Sequence, residues 1–171
     1  SCEHNKFILY QGYNTLAQSF DSDWGGFGTA PKFPTPHNLL FLMRMFETEG
    51  VPEALQMVET TLKAMADGGI FDHIGGGFSR YSTDQKWLVP HFEKMLYDNA
   101  LLILAYLEAY QLTKNSFYSD IVRRTADYIS DELTDSSGGF DCGQDADSDG
   151  VEGKYYVFTP GEVHRLLGEA D

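Results

Sequence analysis

Residues 68–99 read GGIFDHIGGGFSRYSTDQKWLVPHFEKMLYDN, and this segment combines glycine, aromatic and charged residues along its whole length. A buried core element contains few charged residues, and an ordinary surface loop contains few aromatic ones. Ligand pockets combine both types, because aromatic walls bury the ligand and a few converging polar groups orient it. The segment therefore predicts one wall and the mouth of a small-molecule site.

The segment is expected to run into a long helix over residues 91–113. Polar side chains of its first two turns would fall on two adjoining faces, with His91, Lys94 and Asp98 on one and Glu93 and Tyr97 on the other. From residue 101 onward the helix is apolar nearly all round, which is typical of a helix buried on every side, as in the inner ring of a helical toroid. This layout indicates that the first turns line a pocket. A plain helix start, with Glu93 favoured by the helix dipole, is the alternative.

Proline and glycine positions predict five further helices. Thr35 and Thr159 each precede a proline, so both are expected as N-caps, and Glu162 completes a capping box with Thr159. Gly50 and Gly68 are expected to end helices. The predicted ranges are residues 6–19, 35–49, 52–67 and 116–133, with a last helix beginning at residue 160.

Loops with paired glycines and an aromatic residue recur between these helices, at residues 25, 68, 75 and 138. Helix pairs closed by similar loops predict repeated αα-hairpins, each of which buries its apolar face on its neighbours. The only convincing strand covers residues 154–158, and we expect it to pair with residues 139–142. The sequence therefore predicts an all-α fold of about three αα-hairpins with one small β-hairpin near residues 139–158.

Composition limits the classes of partner. The 171-residue chain has 12 Lys and Arg against 26 Asp and Glu, a formal net charge of −14, and such a surface disfavours binding to nucleic acid. Cys2 and Cys142 form neither a CxxC motif nor a disulfide framework, which favours a reduced, cytoplasmic protein. No run of about 18 apolar residues occurs, so neither a membrane span nor a signal peptide is predicted. We expect no nucleic-acid or membrane partner.

His73 and His91 are the two candidate proton-transfer groups, because imidazole can donate or accept a proton near neutral pH. The aromatic residues between them are Phe78, Tyr81 and Trp87. A loop histidine such as His73 is, by itself, more often a hydrogen-bonded structural residue. Their position around the same aromatic segment favours a catalytic role for both. The remaining histidines are assigned structural roles: His4, His37 and His164.

The acidic run DADSDGVEG at residues 145–153 resembles the first half of a calcium-binding loop. A complete EF-hand loop needs a bidentate glutamate at its twelfth position, and Tyr156 stands there instead. No His or Cys spacing supports zinc. We therefore predict no metal and no cofactor, and we assign Asp145 and Asp147 to a polar substrate. A looser cation site at these residues is the alternative.

The glycine-aromatic loops should fall at the same ends of successive hairpins, so polar residues near them are expected to converge around one concave mouth. The expected members are His73, Arg80, Tyr81, His91, Glu93, Asp98, Asp145 and Asp147. We assign catalysis to His73, His91 and Glu93. We assign substrate binding to Lys32, Arg80, Tyr81, Trp87, Lys94, Asp98, Asp145 and Asp147.

Three long motifs carry a family resemblance: GGFGTAPKFPTP, GGIFDHIGGGFSRYSTDQKWLVPHFEKMLYDNA and GGFDCGQDADSDGVEGKYYVF. With their spacing, they closely resemble the spermatogenesis-associated protein 20-like family of thioredoxin-domain-containing proteins, over residues 20–168. The resemblance implies an (α/α)6 toroid similar to N-acylglucosamine 2-epimerase and the six-hairpin glycosidases. It also implies a thioredoxin-like domain ahead of the toroid. We therefore expect one partial domain, about the first half of the toroid, without the thioredoxin-like domain and the second half.

By analogy, the resemblance implies a carbohydrate-active module with a sugar-like ligand. Epimerisation beside a carbonyl needs one group to remove a proton and another to return it on the opposite face, and His73 and His91 suit that task. Hydrolysis would instead need two carboxylates across the scissile bond, with Glu93, Asp98, Asp145 and Asp147 as candidates. A non-catalytic ligand-binding or scaffold module serving the thioredoxin-like domain is the alternative. This chain alone is expected to be inactive.

A half-toroid would leave two open flanks. Each flank is expected to expose the apolar side of a helix, such as residues 35–49 or 116–133. Large exposed apolar patches are rare on soluble monomers, and a two-fold contact would cover both flanks at once. We therefore expect a homodimer of half-toroids.

Overall fold

The computed structural model describes residues 2–168, and their side chains from residue 6 onward. Over this range it contains six α-helices: α1 Cys2–Ser19, α2 Pro36–Glu49, α3 Pro52–Asp67, α4 Leu96–Thr113, α5 Ser116–Glu132 and α6 Pro160–Leu167. Helix α4 packs against α5 and α2, and α2 packs against α3. These packed helix pairs confirm the predicted αα-hairpin fold. Among the described helices, none is both long and apolar enough to cross a membrane.

Short antiparallel strand pairs connect the helices. β1 (Tyr81–Ser82) pairs with β2 (Pro90–His91), β3 (Lys94–Met95) with β4 (Gly143–Gln144), and β5 (Asp147–Ser148) with β6 (Val151–Glu152). Asp149 and Gly150 form the turn between β5 and β6, and both have a positive φ, which is typical of a tight hairpin. The small β-hairpin expected in this region is therefore the β5–β6 pair.

The predicted strand over residues 154–158 is wrong, and so is its pairing with residues 139–142. Residues 153–156 form a turn, and the hairpin strands lie upstream of it. The ring of Tyr156 stacks on the ring of Phe92, with 5.4 Å between centroids. This segment therefore folds down onto Phe92 through its aromatic side chains rather than extending as a strand.

The long helix begins at Leu96, not at residue 91. Most of residues 90–95 is extended because β2 and β3, which lie within it, pair with β1 and β4. The predicted helical face shared by His91, Lys94 and Asp98 therefore does not exist. Pairing with distant parts of the chain overrides the helical periodicity of these six residues.

The N-cap predicted for α2 is wrong, whereas the capping box predicted for α6 is confirmed. Thr35 is not an N-cap: its φ of 42° is left-handed and its side chain makes no capping bond. Pro36 still opens α2, and Gly50 ends it. At α6 the predicted capping box is confirmed, since Thr159 N donates to Glu162 Oε2 at 2.7 Å and Glu162 N donates to Thr159 Oγ1 at 3.3 Å.

The core lies among α2, α3, α4 and the loop between α3 and α4. Its largest completely buried side chains include Trp87, Tyr106, Phe71 and Phe78. The hydroxyl of Tyr106 donates to the Leu62 carbonyl at 2.6 Å, so this buried polar group is satisfied. Phe71, Phe78 and Trp87 of this loop thus belong to the core, and they anchor the polar residues around them.

The expectation that α4 is buried on every side is wrong for this chain. Leu102 and Tyr106 are buried, but Leu101, Leu104 and Leu107 are 40%, 51% and 37% exposed. The three exposed leucines recur every third residue and form one stripe along the helix. The apolar sides of α2 and α5, which were expected to be open, are instead covered by their neighbours.

Three loops between the elements share one backbone design. Each loop begins with an aspartate. The backbone C=O of this aspartate accepts from the N–H of a glycine, and its backbone N–H donates to the carbonyl of the next glycine. Its side-chain Oδ1 accepts two backbone N–H groups of the same loop. These loops begin at Asp21, Asp72 and Asp135. Single bridges between flanking residues close them, at residues 20 and 27, 71 and 78, and 134 and 140. A buried lysine binds Oδ2 of the aspartate in the first two.

Candidate functional site

Residues 90–95, just before α4, present their side chains to two different surfaces. His91 and Glu93 approach each other, with His91 Nε2 3.8 Å from Glu93 Oε2. Phe92 and Lys94 line a cavity instead. An extended backbone alternates its side chains in this way, so one short segment contributes to two neighbouring surfaces.

The first surface, termed the histidine face, comprises Arg80, Tyr81, His91, Glu93, Asp98 and Glu152. The imidazole of His91 stacks on the Tyr81 ring, with 5.0 Å between centroids. His91 Nδ1 lies 2.7 Å from Glu152 Oε1, and since a carboxylate accepts, Nδ1 donates. This bond fixes the tautomer and leaves Nε2 as the basic nitrogen. Hairpin β5–β6, which carries Glu152, thereby orients the histidine.

Asp98 lies beside the ion pair of Arg80 and Glu93, in which Nη1 donates to Oε2 at 3.0 Å. Burial raises the pKa of Asp98 to about 6, while Arg80 opposes this rise and Glu93 adds to it. Within the described residues, Asp98 Oδ2 is buried without a hydrogen-bond partner. Asp98 can therefore take up or release a proton near neutral pH, as acid–base catalysts do.

The second surface, termed the lysine cavity, surrounds Lys94, which is 2% exposed. Lys94 Nζ donates to Asp72 Oδ2 at 2.9 Å and to the Gly76 carbonyl at 2.8 Å. The rings of Tyr128 and Tyr156 face the ammonium, with their centroids at 4.4 and 5.1 Å, in the range of cation–π contacts. Burial lowers the pKa of Lys94, and Asp72 opposes this effect.

Three adjoining cavities, of about 350, 520 and 210 Å³, share Asp72 and Tyr156 in their walls. The lysine cavity is the first of them, and Asp145 and Asp147 line it. Strand β5 of the small hairpin lines this cavity, whereas β6 reaches the histidine face through Glu152. The hairpin therefore borders both surfaces.

His73 lines the smallest of these cavities, together with Phe92 and Lys94. Its Nε2 lies 2.9 Å from the Gly68 carbonyl and donates to it, since a carbonyl only accepts. Its ring packs edge-on against Phe71, with 5.6 Å between centroids. His73 is therefore placed with the cavities, while His91 belongs to the histidine face.

The eight residues expected around one mouth divide between the two surfaces. The histidine face brings together five of them: Arg80, Tyr81, His91, Glu93 and Asp98. The other three residues line the cavities: His73, Asp145 and Asp147.

Lys32 and Trp87 line neither surface, because both are completely buried. Lys32 Nζ donates to Asp21 Oδ2 and to the carbonyls of Gly25 and Gln85. Trp87 Nε1 donates to a backbone carbonyl at 2.9 Å. The structure therefore places Lys32 and Trp87, both predicted as substrate-binding residues, in the interior and away from the two surfaces.

Sequence reasoning missed several residues of the two surfaces, among them Asp72, Tyr128, Glu152 and Tyr156. A signal for Asp72 was present, because an aspartate three or four residues ahead of a glycine pair also occurs at positions 21 and 135. The two tyrosines and Glu152 left no local signal. Their positions depend on how α5 and the β5–β6 hairpin fold back onto residues 90–95.

Within residues 2–168, no group of three or more His, Cys, Asp or Glu side chains is arranged to hold a metal ion. The acidic run that begins at Asp145 is spread over different environments. Asp145 and Asp147 line the lysine cavity, while Asp149 pairs with Lys154 at 2.7 Å.

Asp98→Asn is expected to stabilise the protein above pH 6. The pKa of Asp98 rises from 3.8 to about 6 on folding, so the native state binds more protons than the unfolded state between these values. As the pH rises through this window, ionisation of Asp98 therefore lowers the free energy of unfolding of the wild type, by about 1 kcal/mol after allowance for solvent screening. Urea unfolding of both proteins from pH 4 to pH 8 measures this difference, with Asp120→Asn on α5 as the control. Equal pH profiles for wild type and Asp98→Asn would contradict the expectation.

Sequence comparison gives homologues over nearly the whole chain. The chain is 48% identical to human spermatogenesis-associated protein 20 and 46% identical to the mouse protein of the same name, over 167 residues and 92% of this chain in both cases. It spans about a fifth of the length of these relatives, 21% in each. No protein-family model matches the chain. The predicted resemblance is confirmed: the chain is homologous to one segment of spermatogenesis-associated protein 20.

Structure comparison relates the fold to solved toroids. A cellobiose 2-epimerase from Bacillus thermoamylovorans matches with a TM-score of 0.68 and 17% identity, over 82% of this chain and 41% of that chain. A glycoside hydrolase family 76 mannosidase from Bacteroides thetaiotaomicron matches with a TM-score of 0.56 and 17% identity, over 66% of this chain and 30% of that chain. At this identity the likeness concerns the fold, and it confirms the predicted (α/α) toroid architecture.

Proposed function

We propose that the histidine face carries out acid–base chemistry on a sugar-like ligand, with His91 and Asp98 as the proton-transfer groups. One observation supports this most: an imidazole fixed by Glu152 shares a surface with a carboxyl group whose pKa is about 6. An imidazole with a free ring nitrogen can act as the base, and a carboxyl group that titrates near neutral pH can act as the acid. The sugar class is inferred from the toroid neighbours, a cellobiose 2-epimerase and a mannosidase.

Epimerisation beside a carbonyl is the reaction that this pair fits best. His91 Nε2 removes the proton from the carbon next to the carbonyl, and the electron pair of the broken C–H bond moves toward the carbonyl oxygen. Protonated Asp98 returns a proton to the opposite face of the same carbon, and the electron pair forms the new C–H bond. The carboxylate of Glu152 stabilises the imidazolium that forms. Proton exchange with water then restores both side chains.

Asp98 takes the role that sequence reasoning gave to His73. Asp98 lies with Arg80 and Glu93 on the surface that carries His91, whereas His73 lines a cavity beside Lys94. Glu93, also expected as a catalytic group, is paired with Arg80 at 3.0 Å. We therefore assign Glu93 a positioning role, in which it holds Arg80 and raises the pKa of Asp98.

Deuterium incorporation tests this proposal. The intact protein is incubated in D2O with aldohexoses, N-acetylhexosamines and disaccharides, and the products are analysed by NMR. We expect one deuterium at the carbon next to the carbonyl in the epimerised sugar, and His91→Asn should slow its incorporation about 100-fold or more. His164→Asn on the exposed helix α6 is the matched control and should leave the rate unchanged.

Two other outcomes would contradict epimerisation. Cleavage of a glycosidic bond without deuterium exchange would favour a hydrolase acting through paired carboxylates. Saturable sugar binding with neither exchange nor cleavage would favour a non-catalytic binding module. Equal rates in His91→Asn and wild type would exclude the histidine face as the site.

A further inference from the structure

Lys32 and Lys94 occupy equivalent sockets in two of the three aspartate loops. In each socket the lysine ammonium donates to Oδ2 of the loop aspartate and to a glycine carbonyl of the same loop. Each ammonium also faces an aromatic ring, that of Trp87 at 5.4 Å for Lys32 and that of Tyr128 at 4.4 Å for Lys94. The two sockets can therefore be compared acceptor by acceptor.

The sockets differ in the third acceptor. The third acceptor of Lys32 is the Gln85 carbonyl at 2.9 Å, so each of its three N–H donors has a protein partner. Lys94 donates to Asp72 and Gly76, and within residues 2–168 no third acceptor lies within hydrogen-bond distance. Instead of a third carbonyl, the lysine cavity of about 350 Å³ opens beside it. A nearly buried ammonium with only two protein acceptors in a cavity wall can donate to an oxygen from outside the protein.

The cavity walls define what kind of molecule supplies that oxygen. Glu132, Asp145 and Asp147 line the cavity, and these carboxylates accept hydrogen bonds and repel anions. Lys94 already faces the rings of Tyr128 and Tyr156, so the ring faces turned toward it are not open to a second cation. A neutral molecule with many hydroxyl groups satisfies both conditions, since a hydroxyl can donate to a carboxylate and accept from an ammonium.

An aromatic platform borders the same cavity. Tyr155 is 73% exposed, lines the lysine cavity and the adjoining cavity of about 520 Å³, and stands nearly perpendicular to Tyr156. An exposed aromatic ring of this kind presents an apolar face beside polar groups. The apolar C–H face of a sugar or cyclitol ring matches such a surface, and pockets of a few hundred Å³ are typical for ligands of this size.

We propose that the lysine cavity is a binding site for a neutral polyhydroxylated ring. One ligand oxygen accepts the third N–H of Lys94, ligand hydroxyls donate to Asp145 and Asp147, and the ring packs on Tyr155. This site is separate from the proton-transfer groups of the histidine face. Its occupancy does not depend on the chemistry proposed for His91 and Asp98.

Calorimetric titration of the intact protein tests the proposal with five probes: glucose, mannose and myo-inositol, cationic glucosamine, and anionic glucose 6-phosphate. At least one neutral probe is expected to bind saturably and more tightly than both charged ones. Tyr155→Ala and Asp147→Asn should each weaken this binding about tenfold, the effect of one lost charge-assisted hydrogen bond or comparable ring contact. Both positions are exposed, so neither change should unfold the protein.

The controls separate this site from the proposed catalysis. Tyr10→Ala on α1 and Asp120→Asn on α5 should leave the affinity unchanged, and His91→Asn should retain binding. Tighter binding of glucosamine or glucose 6-phosphate, or no binding of any neutral probe, would overturn the proposal. The proposal would also be overturned if Tyr155→Ala and Asp147→Asn left the affinity unaltered, or if His91→Asn abolished binding. Failure of deuterium exchange with binding intact would instead contradict the function proposed for the histidine face alone.

Discussion

Replacement of Lys32 by alanine is expected to lower the free energy of unfolding by about 3–5 kcal/mol. The side chains of Lys32 and Asp21 are 0% and 7% exposed and lie 2.7 Å apart. Removal of the ammonium leaves the Asp21 carboxylate buried without its cation, and it also leaves the carbonyls of Gly25 and Gln85 without their donor. Each unsatisfied buried group adds to the cost.

Equilibrium unfolding in urea measures this loss. Lys63→Ala is the matched control, because Lys63 forms an exposed pair with Asp67 and such pairs contribute about 0.5 kcal/mol or less. A second signature comes from pH. Burial raises the pKa of Asp21, but hydrogen bonds from Lys32, Gln85 and the backbone outweigh it and hold this pKa at about 2. The contribution of the pair is therefore present above pH 4 and lost as the pH falls toward 2. Similar losses in Lys32→Ala and Lys63→Ala would contradict the assignment.

The 171-residue chain is expected to associate into a dimer, with a mass twice its 19.2 kDa, at micromolar concentration. The exposed stripe of Leu101, Leu104 and Leu107 on α4 is the surface that drives this association. Burial of apolar surface returns about 25 cal/mol per Å² before the cost of association. A two-fold contact between the α4 stripes of two chains would bury both stripes at once.

Sedimentation equilibrium over a range of concentrations measures the mass. Leu104→Glu places a charge in the middle of the stripe and should return the chain to a monomer. Leu167→Glu on α6 changes an equally apolar residue that is 72% exposed, and it should leave the dimer intact. A wild-type chain that stays monomeric at every concentration would show that the exposed stripe is tolerated.

Local signals in the sequence determined most helix bounds. Pro52 opens α3, Gly50 follows the end of α2, and Thr159 caps α6 together with Glu162. These features depend on residues within about one helical turn, so a short stretch of sequence contains all the required information. The repeated glycine-aromatic loops likewise predicted αα-hairpins, and the three long motifs predicted the toroid architecture through the family resemblance that they carry.

Residues 90–95 show what local signals could not determine. Their spacing fits a helix, but their backbone pairs with residues 81–82 and 143–144 and becomes largely extended. This change sends His91 toward Glu152 and Lys94 toward Asp72, so one predicted mouth becomes two surfaces. Contacts between residues far apart in sequence determine the extended backbone of residues 90–95, and the spacing of residues within one segment does not predict such contacts.

The two lysine sockets also show that similar local sequences can lie in different tertiary environments. Lys32 and Lys94 each bind the aspartate of a similar glycine-rich loop, and both are almost completely buried. Only the tertiary structure places the Gln85 carbonyl against Lys32 and a cavity against Lys94. The sequence by itself determined that these loops and helices form. Which ammonium is fully satisfied and which faces a cavity was decided by the packing of distant segments, because a buried polar group is satisfied only by whatever the fold brings within hydrogen-bond distance.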